Sequence, residues 1–331
     1  MPPAGAVAGA VVEIACDESG FSGTNLLRST APVITHASVD LRPDEAVTLI
    51  TELRSGFRLS PHELKSGQFL RRPGAGATLD WLLTALAGRA HVHLVDKEFF
   101  LVTRVVDLFL TEPSYLSGTR LAPASRTAAE ALYRAAADQH GPAAGDQHGQ
   151  TAGHRPTGGH RHGPADPARD AFLSAFVDLV RNRKGRPPIP PTLDRFFQAR
   201  DALPGHVFDD LDRDHVLAVL TRLHADDRSI PPPLEPLLPA LAETVLTWSA
   251  GGRRVLVTHD EQSALTADRL TRLQQALAGP DGISPLAGLV MADSRDDPRI
   301  QVADLLAGVA RRSPEIIDDT GRNQSSTISS Q

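Results

Sequence analysis

Six acidic residues stand where a carboxylate has chemistry to do. Asp17 and Glu18 close the β-branched run Val11-Val12-Glu13-Ile14-Ala15-Cys16 just ahead of Ser19-Gly20. Asp96 ends the alternating segment His91-Val92-His93-Leu94-Val95, and Asp260 ends Arg254-Val255-Leu256-Val257-Thr258-His259. Asp304 interrupts the apolar helical pattern Ile300 to Ala310, and Glu63 lies in the short segment His62 to Gly67. Carboxylates brought to one point repel each other, and divalent cations hold them together ionised. Hard oxygen donors suit Mg²⁺ or Mn²⁺. Two such ions about 4 Å apart activate water and stabilise the leaving oxygen in phosphodiester cleavage. For Asp17 the competing reading is a turn cap, since Asp and Ser also stabilise turns locally.

Lysine is rare: Lys65, Lys97 and Lys184 are the only three among 34 basic residues. Lys65 follows Glu63-Leu64 and Lys97 follows Asp96, so two of the three sit beside candidate acids. The one cysteine, Cys16, lies inside the apolar run and reads as a small buried packing residue. The net charge of −6 leaves any nucleic-acid contact to local basic patches. Arg181-Asn182-Arg183-Lys184-Gly185-Arg186 is one such island, readable as a phosphate contact or as a solvated helix end.

Strands must deliver these acids and helices must back them. Val11 to Gly20 reads as a buried strand, and Ala31 to Val39 as a second, across a Gly, Ser, Thr and Asn-rich connection. Pro43-Asp44-Glu45 opens a helix, Thr78 to Gly88 forms another, and His91 to Asp96 is a third strand. Phe99 to Leu110 is nearly apolar all round and reads as a buried core helix too short to span a bilayer. Strand, helix and strand then recur at Arg254 to Asp260, Thr266 to Leu277 and Leu286 to Asp293. Asp297-Pro298 starts a closing helix to Arg312 that buries Val302, Leu305, Leu306 and Val309. Gln301, Asp304 and Gly308 lie on a neighbouring stripe, and small Ala307 and Gly308 allow close approach to a sheet.

The alternation argues for an α/β fold, a mixed sheet flanked by helices with a long helical and partly disordered insertion. Residues 1–116 and 240–313 form its two halves. Between them lie a flexible Gly, His and Pro-rich stretch at 117–170 and a proline-punctuated helical stretch at 171–239, and residues 314–331 form a disordered tail. Histidines 140, 148, 154, 160 and 162 are irregularly spaced, so a solvated linker is preferred over a metal sensor. With 41% hydrophobic and 22% charged residues and no apolar window of membrane length, the expectation is a cytoplasmic protein with no membrane partner.

Asp17-Glu18-Ser19-Gly20, Glu63-Leu64-Lys65, Val95-Asp96-Lys97, Asp260-Glu261-Gln262 and Asp293-Ser294 to Gln301-Val302-Ala303-Asp304-Leu305-Leu306-Ala307-Gly308 together resemble the domain-of-unknown-function family number 3800. The resemblance covers residues 11–104 and 240–312 and implies a ribonuclease H-like fold. It also implies a carboxylate metal site in which Asp17, Glu63 and Asp304 are ligands for Mg²⁺ or Mn²⁺, with Asp260 as the fourth and Asp96 and Glu18 in reserve. Lys65 would contact a phosphate or neutralise the acids; an ordinary ion pair with Glu63 is its other reading. The expected activity is a metal-dependent nuclease acting on RNA or DNA, with a non-cleaving nucleic-acid or protein binding module as the alternative.

Overall fold

Val11–Ser19 is a strand through its whole length (β1), so Asp17 and Glu18 lie within paired backbone and not in the turn that follows. The computed structural model describes residues 9–21, 23, 26–27, 31–56, 66–71, 74–119, 127, 129–130, 167–181, 190–250 and 252–313. Glu63, Lys65, all but Arg181 of the basic island, the five histidines from His140 to His162 and the tail 314–331 lie outside them.

The chain divides into two compact units, one of Met1–Lys97 with Glu235–Gln331 and one of Glu98–Leu234. The first holds β1, β2 (Val33–Val39), β3 (Ala90–Asp96), β4 (Arg254–Asp260) and β5 (Leu286–Ala292) in the order β3-β2-β1-β4-β5. β1 pairs antiparallel with β2 and parallel with β4; β2 and β3 are antiparallel, β4 and β5 parallel. Only β2 therefore runs against the others. The carboxyl ends of β1, β3, β4 and β5 all reach one edge of the sheet, which is why strand-terminal acids gather there.

Side chains alternate across a strand, and the two faces of β1 have different company. Ala15 belongs to an apolar cluster with Leu49, Ile50 and Leu53 of α1 (Pro43–Gly56), Leu79 and Leu82 of α3 (Ala75–Ala85), and Val302, Leu305, Leu306 and Val309 of α11 (Pro298–Arg312). α11 crosses β1 and β2 on this face. Asp297 caps it by accepting from the Arg299 amide at 2.9 Å, with Pro298 following, the start expected from the sequence. Thr35 Oγ1 donates to the Ala307 carbonyl at 2.7 Å, a contact that demands close approach of helix to sheet. Gly308 serves a different neighbour. A Cβ there would overlap Ser66, the first residue of α2 (Ser66–Phe69). The opposite face meets α9 (Leu237–Trp248), whose Trp248 Nε1 donates to Ser38 Oγ at 2.8 Å, while α10 (Ala267–Leu277) packs by β5. Cys16 is fully buried and burial pushes its thiol up, as a packing role requires.

The second unit contains α4 (Lys97–Phe109) beyond its first residue, α5 (Tyr115–Thr119), α6 (Pro167–Val180), α7 (Pro190–Asp201) and α8 (Arg213–His224). α4 joins an aromatic core in this unit. Phe109 lies edge-on to Phe176 and Phe196, and Phe172 stacks on Phe196 and Phe208. Arg104 and Asp107 of α4, both nearly inaccessible, pair at 2.6 Å. Among the described residues no helix is long and apolar enough to cross a membrane.

Candidate functional site

Asp17 shares the face of β1 that carries Ala15, and only 7% of it is exposed. Its Oδ1 accepts from the Glu18 amide at 2.7 Å. Burial above all, then the charges of Glu18, Asp304 and Asp260, push its carboxyl up to about 9, against the lowering effect of that amide. The coupling means that the three other acids stand close enough to be felt. Asp260 is the last residue of β4, one step beyond the Cys16–His259 register pair. It therefore ends beside Asp17 on the adjacent strand, at the strand spacing of about 4.8 Å. Thr258, two residues earlier on the same face, accepts from Arg299 of α11, so Asp260 looks toward α11 too.

Two hydrogen bonds fix Asp260. Its Oδ1 accepts from the Ser294 amide at 3.2 Å, and Gln301 Nε2 of α11 holds the Ser294 carbonyl at 2.7 Å. Gln301 and Asp304 share the α11 stripe expected from the sequence, and the glutamine braces the loop that orients Asp260. Asp304 is half-buried, one turn before Gly308. Thus Asp17, Asp260 and Asp304 are brought together, from two adjacent strands and the helix across them.

Asp96 is not. From the register, Val92 is level with Ala37 and Ala37 with Asp17, so Asp96 is two strands away and four residues further along, about 10 Å and about 13 Å respectively. Glu18 sits at the neighbouring position of β1 and so faces the other side of the sheet, although its charge still acts on Asp17. Among the described residues, no three or more His, Cys, Asp or Glu side chains are gathered tightly enough to hold a metal ion.

The far face of the same edge holds a cluster that the sequence reading missed. His36 of β2, paired with Glu18, and His259 of β4 are both fully buried, with their Nε2 atoms 3.2 Å apart. His259 Nδ1 lies 2.9 Å from the Asp260 carbonyl, which only accepts, so that nitrogen carries hydrogen and its Nε2 accepts from His36. His36 Nδ1 then accepts from the Thr244 hydroxyl at 2.8 Å. Burial foremost, then His259, holds His36 well below the usual imidazole range. Glu18 Oε1 accepts from Gln262 at 2.5 Å, while its buried Oε2 has no hydrogen-bond partner. Burial raises nearby Glu235 to about 7, and Glu18 adds to the shift. A hydroxyl–imidazole–imidazole chain thus ends on the backbone of Asp260. A His in an alternating strand carries no sequence mark of such pairing, which is why only the acids were noticed.

Chemically, Asp17, Asp260 and Asp304 offer carboxylate oxygens on two strands and a helix. No family model, no curated protein and no solved structure matches this chain.

Proposed function

We propose that this protein is a divalent-cation-dependent phosphodiester hydrolase of ribonuclease H-like fold, acting on nucleic acid at Asp17, Asp260 and Asp304, with Glu63 as a further ligand. The observation that carries the reading is Asp17: a buried carboxyl in a strand, raised to about 9 with the charges of three other acids pressing on it. Gathering like charges costs stability, and functional sites are where such arrangements concentrate. The mixed sheet with helices on both faces, and acids at the β1 and β4 ends opposite Asp304, supports the fold assignment.

The donors are all carboxylates, which fits Mg²⁺ or Mn²⁺. A cation bound here supplies the charge and Lewis acidity that phosphodiester hydrolysis uses. The chain's own part is to hold and orient. β1 fixes Asp17 on the α11 face, Gln301 and Ser294 fix Asp260, and α11 fixes Asp304 above them. Asp17 must give up its proton for the cation to bind, so affinity increases with pH. The test is cleavage of single-stranded RNA, single-stranded DNA and RNA–DNA hybrid by the full chain with Mg²⁺ or Mn²⁺. The wild type cuts at least one, Asp17→Asn and Asp304→Asn cut none, and a chelator abolishes cutting. Equal behaviour of wild type and both variants on every substrate refutes the reading.

A further inference from the structure

The carboxyl end of β1 is also where cations collect. Arg311 Nε donates to Ser19 Oγ at 3.0 Å. The arginine stem passes so close to Gly20, held at φ +91°, that a Cβ there would stand 2.7 Å from its Cδ. The adjacent Arg312 donates through Nη1 to Ser66 Oγ at 2.6 Å. Lys97, only 2% exposed, sends its Nζ to the Ala31 carbonyl at 2.8 Å. The partners of these three are hydroxyls and a carbonyl; among the described residues none of them pairs with a carboxylate. They feel each other, since Arg311 helps burial to lower Lys97 and Arg312 helps burial to lower Arg311.

Removing a cation from water without a counter-ion is costly, and clustering like charges adds to that cost. An anion offsets both. The guanidinium fork of Arg311 has its Nη groups unused among the described residues, and a fork of that shape matches the oxygens of a phosphate. The site's place relative to the acids is set by two elements. Ser19 is two residues past Asp17, about 7 Å along a strand, and Arg311 is seven residues past Asp304, about 10 Å along a helix.

We propose that Arg311 and Arg312, with the charge of Lys97 beneath them, form a phosphate-binding site for the backbone of the nucleic-acid strand presented to Asp17. The identity of the ligand rests on the hydrolase reading; the anion site does not.

The test is fluorescence anisotropy of the full chain with fluorescein-labelled twelve-nucleotide RNA and DNA strands in the presence of a chelator, with inorganic phosphate as competitor. Wild type binds a strand, Arg311→Gln weakens binding by about tenfold or more, and each lost cation flattens the salt dependence by about one phosphate contact. Arg312→Gln, at an exposed position, gives the same change in smaller measure and covers the case in which Arg311→Gln fails to fold. Strand affinity and salt dependence unchanged in Arg312→Gln and in any folded Arg311→Gln overturn the proposal. So does a protein that binds phosphate but no strand, since the anion is then a small molecule. Binding that depends on these arginines without any metal-dependent cleavage refutes the hydrolase reading alone, whereas cleavage indifferent to them refutes only this site.

Discussion

Asp17 is ionised in the unfolded chain above about pH 4 but keeps its proton in the fold up to about 9. Between those values the folded state binds more protons, so this group's contribution to stability falls as pH rises. Asp17→Asn removes that penalty. Its Tm, measured by calorimetry at pH 8 without metal, rises above the wild type's, and the gap narrows toward pH 5. His36 has the opposite sign. Its folded pKa is depressed, the unfolded imidazole takes up a proton near 6.5, and stability is lost as pH falls below that value. Comparing Tm from pH 7 to pH 5, His36→Gln gives a flatter loss than wild type; equal slopes would show that His36 does not titrate differently in the fold. At this scale the sequence was informative about acids and silent about their neighbours. Asp17 and Asp304 were legible because a carboxylate after an apolar strand, or inside an apolar helix, has to be explained. His36, His259 and the Arg311–Ser19 contact were not, because each partner comes from a distant stretch with nothing unusual in its own pattern.

Elements translate those residues into a site. Strand and helix periodicity located β1, β4 and α11, down to the Asp297-Pro298 start, since alternation, four-three spacing and capping are local signals. Strand neighbours are not local. That β4 inserts next to β1, and so sets Asp260 beside Asp17 while leaving Asp96 two strands away, follows from pairing the sequence does not spell out. The small residues Ala307 and Gly308 predict room for the sheet. Ala307 fills that role through Thr35, but Gly308 makes room for Ser66. Gly308→Ala should therefore destabilise by about 1–3 kcal/mol through overpacking against Ser66, as denaturant melts would show. Gln301→Ala tests the brace on Asp260: it should lower cleavage by at least tenfold with little change in Tm. A large Tm loss at unchanged rate would make Gln301 structural only.

For the whole molecule, the division into units was the least legible feature. Phe99 to Leu110 is nearly apolar all round, which tells of burial without telling in which core; Phe109 among Phe172, Phe176 and Phe196 answers that. Phe196→Ala should cost the second unit about 3–5 kcal/mol, with hydrogen exchange accelerating in α6 and α7 while β1 and β4 stay protected. The account as a whole depends on whether the acids on the α11 face receive a cation. Mn²⁺ binding to the full chain, followed by electron paramagnetic resonance from pH 6 to pH 9, asks this directly. Wild type should bind Mn²⁺ with affinity that rises by up to about tenfold per pH unit below the Asp17 pKa, and Asp17→Asn should lose the binding. Mn²⁺ affinity that is flat with pH and equal in wild type and Asp17→Asn would contradict the account.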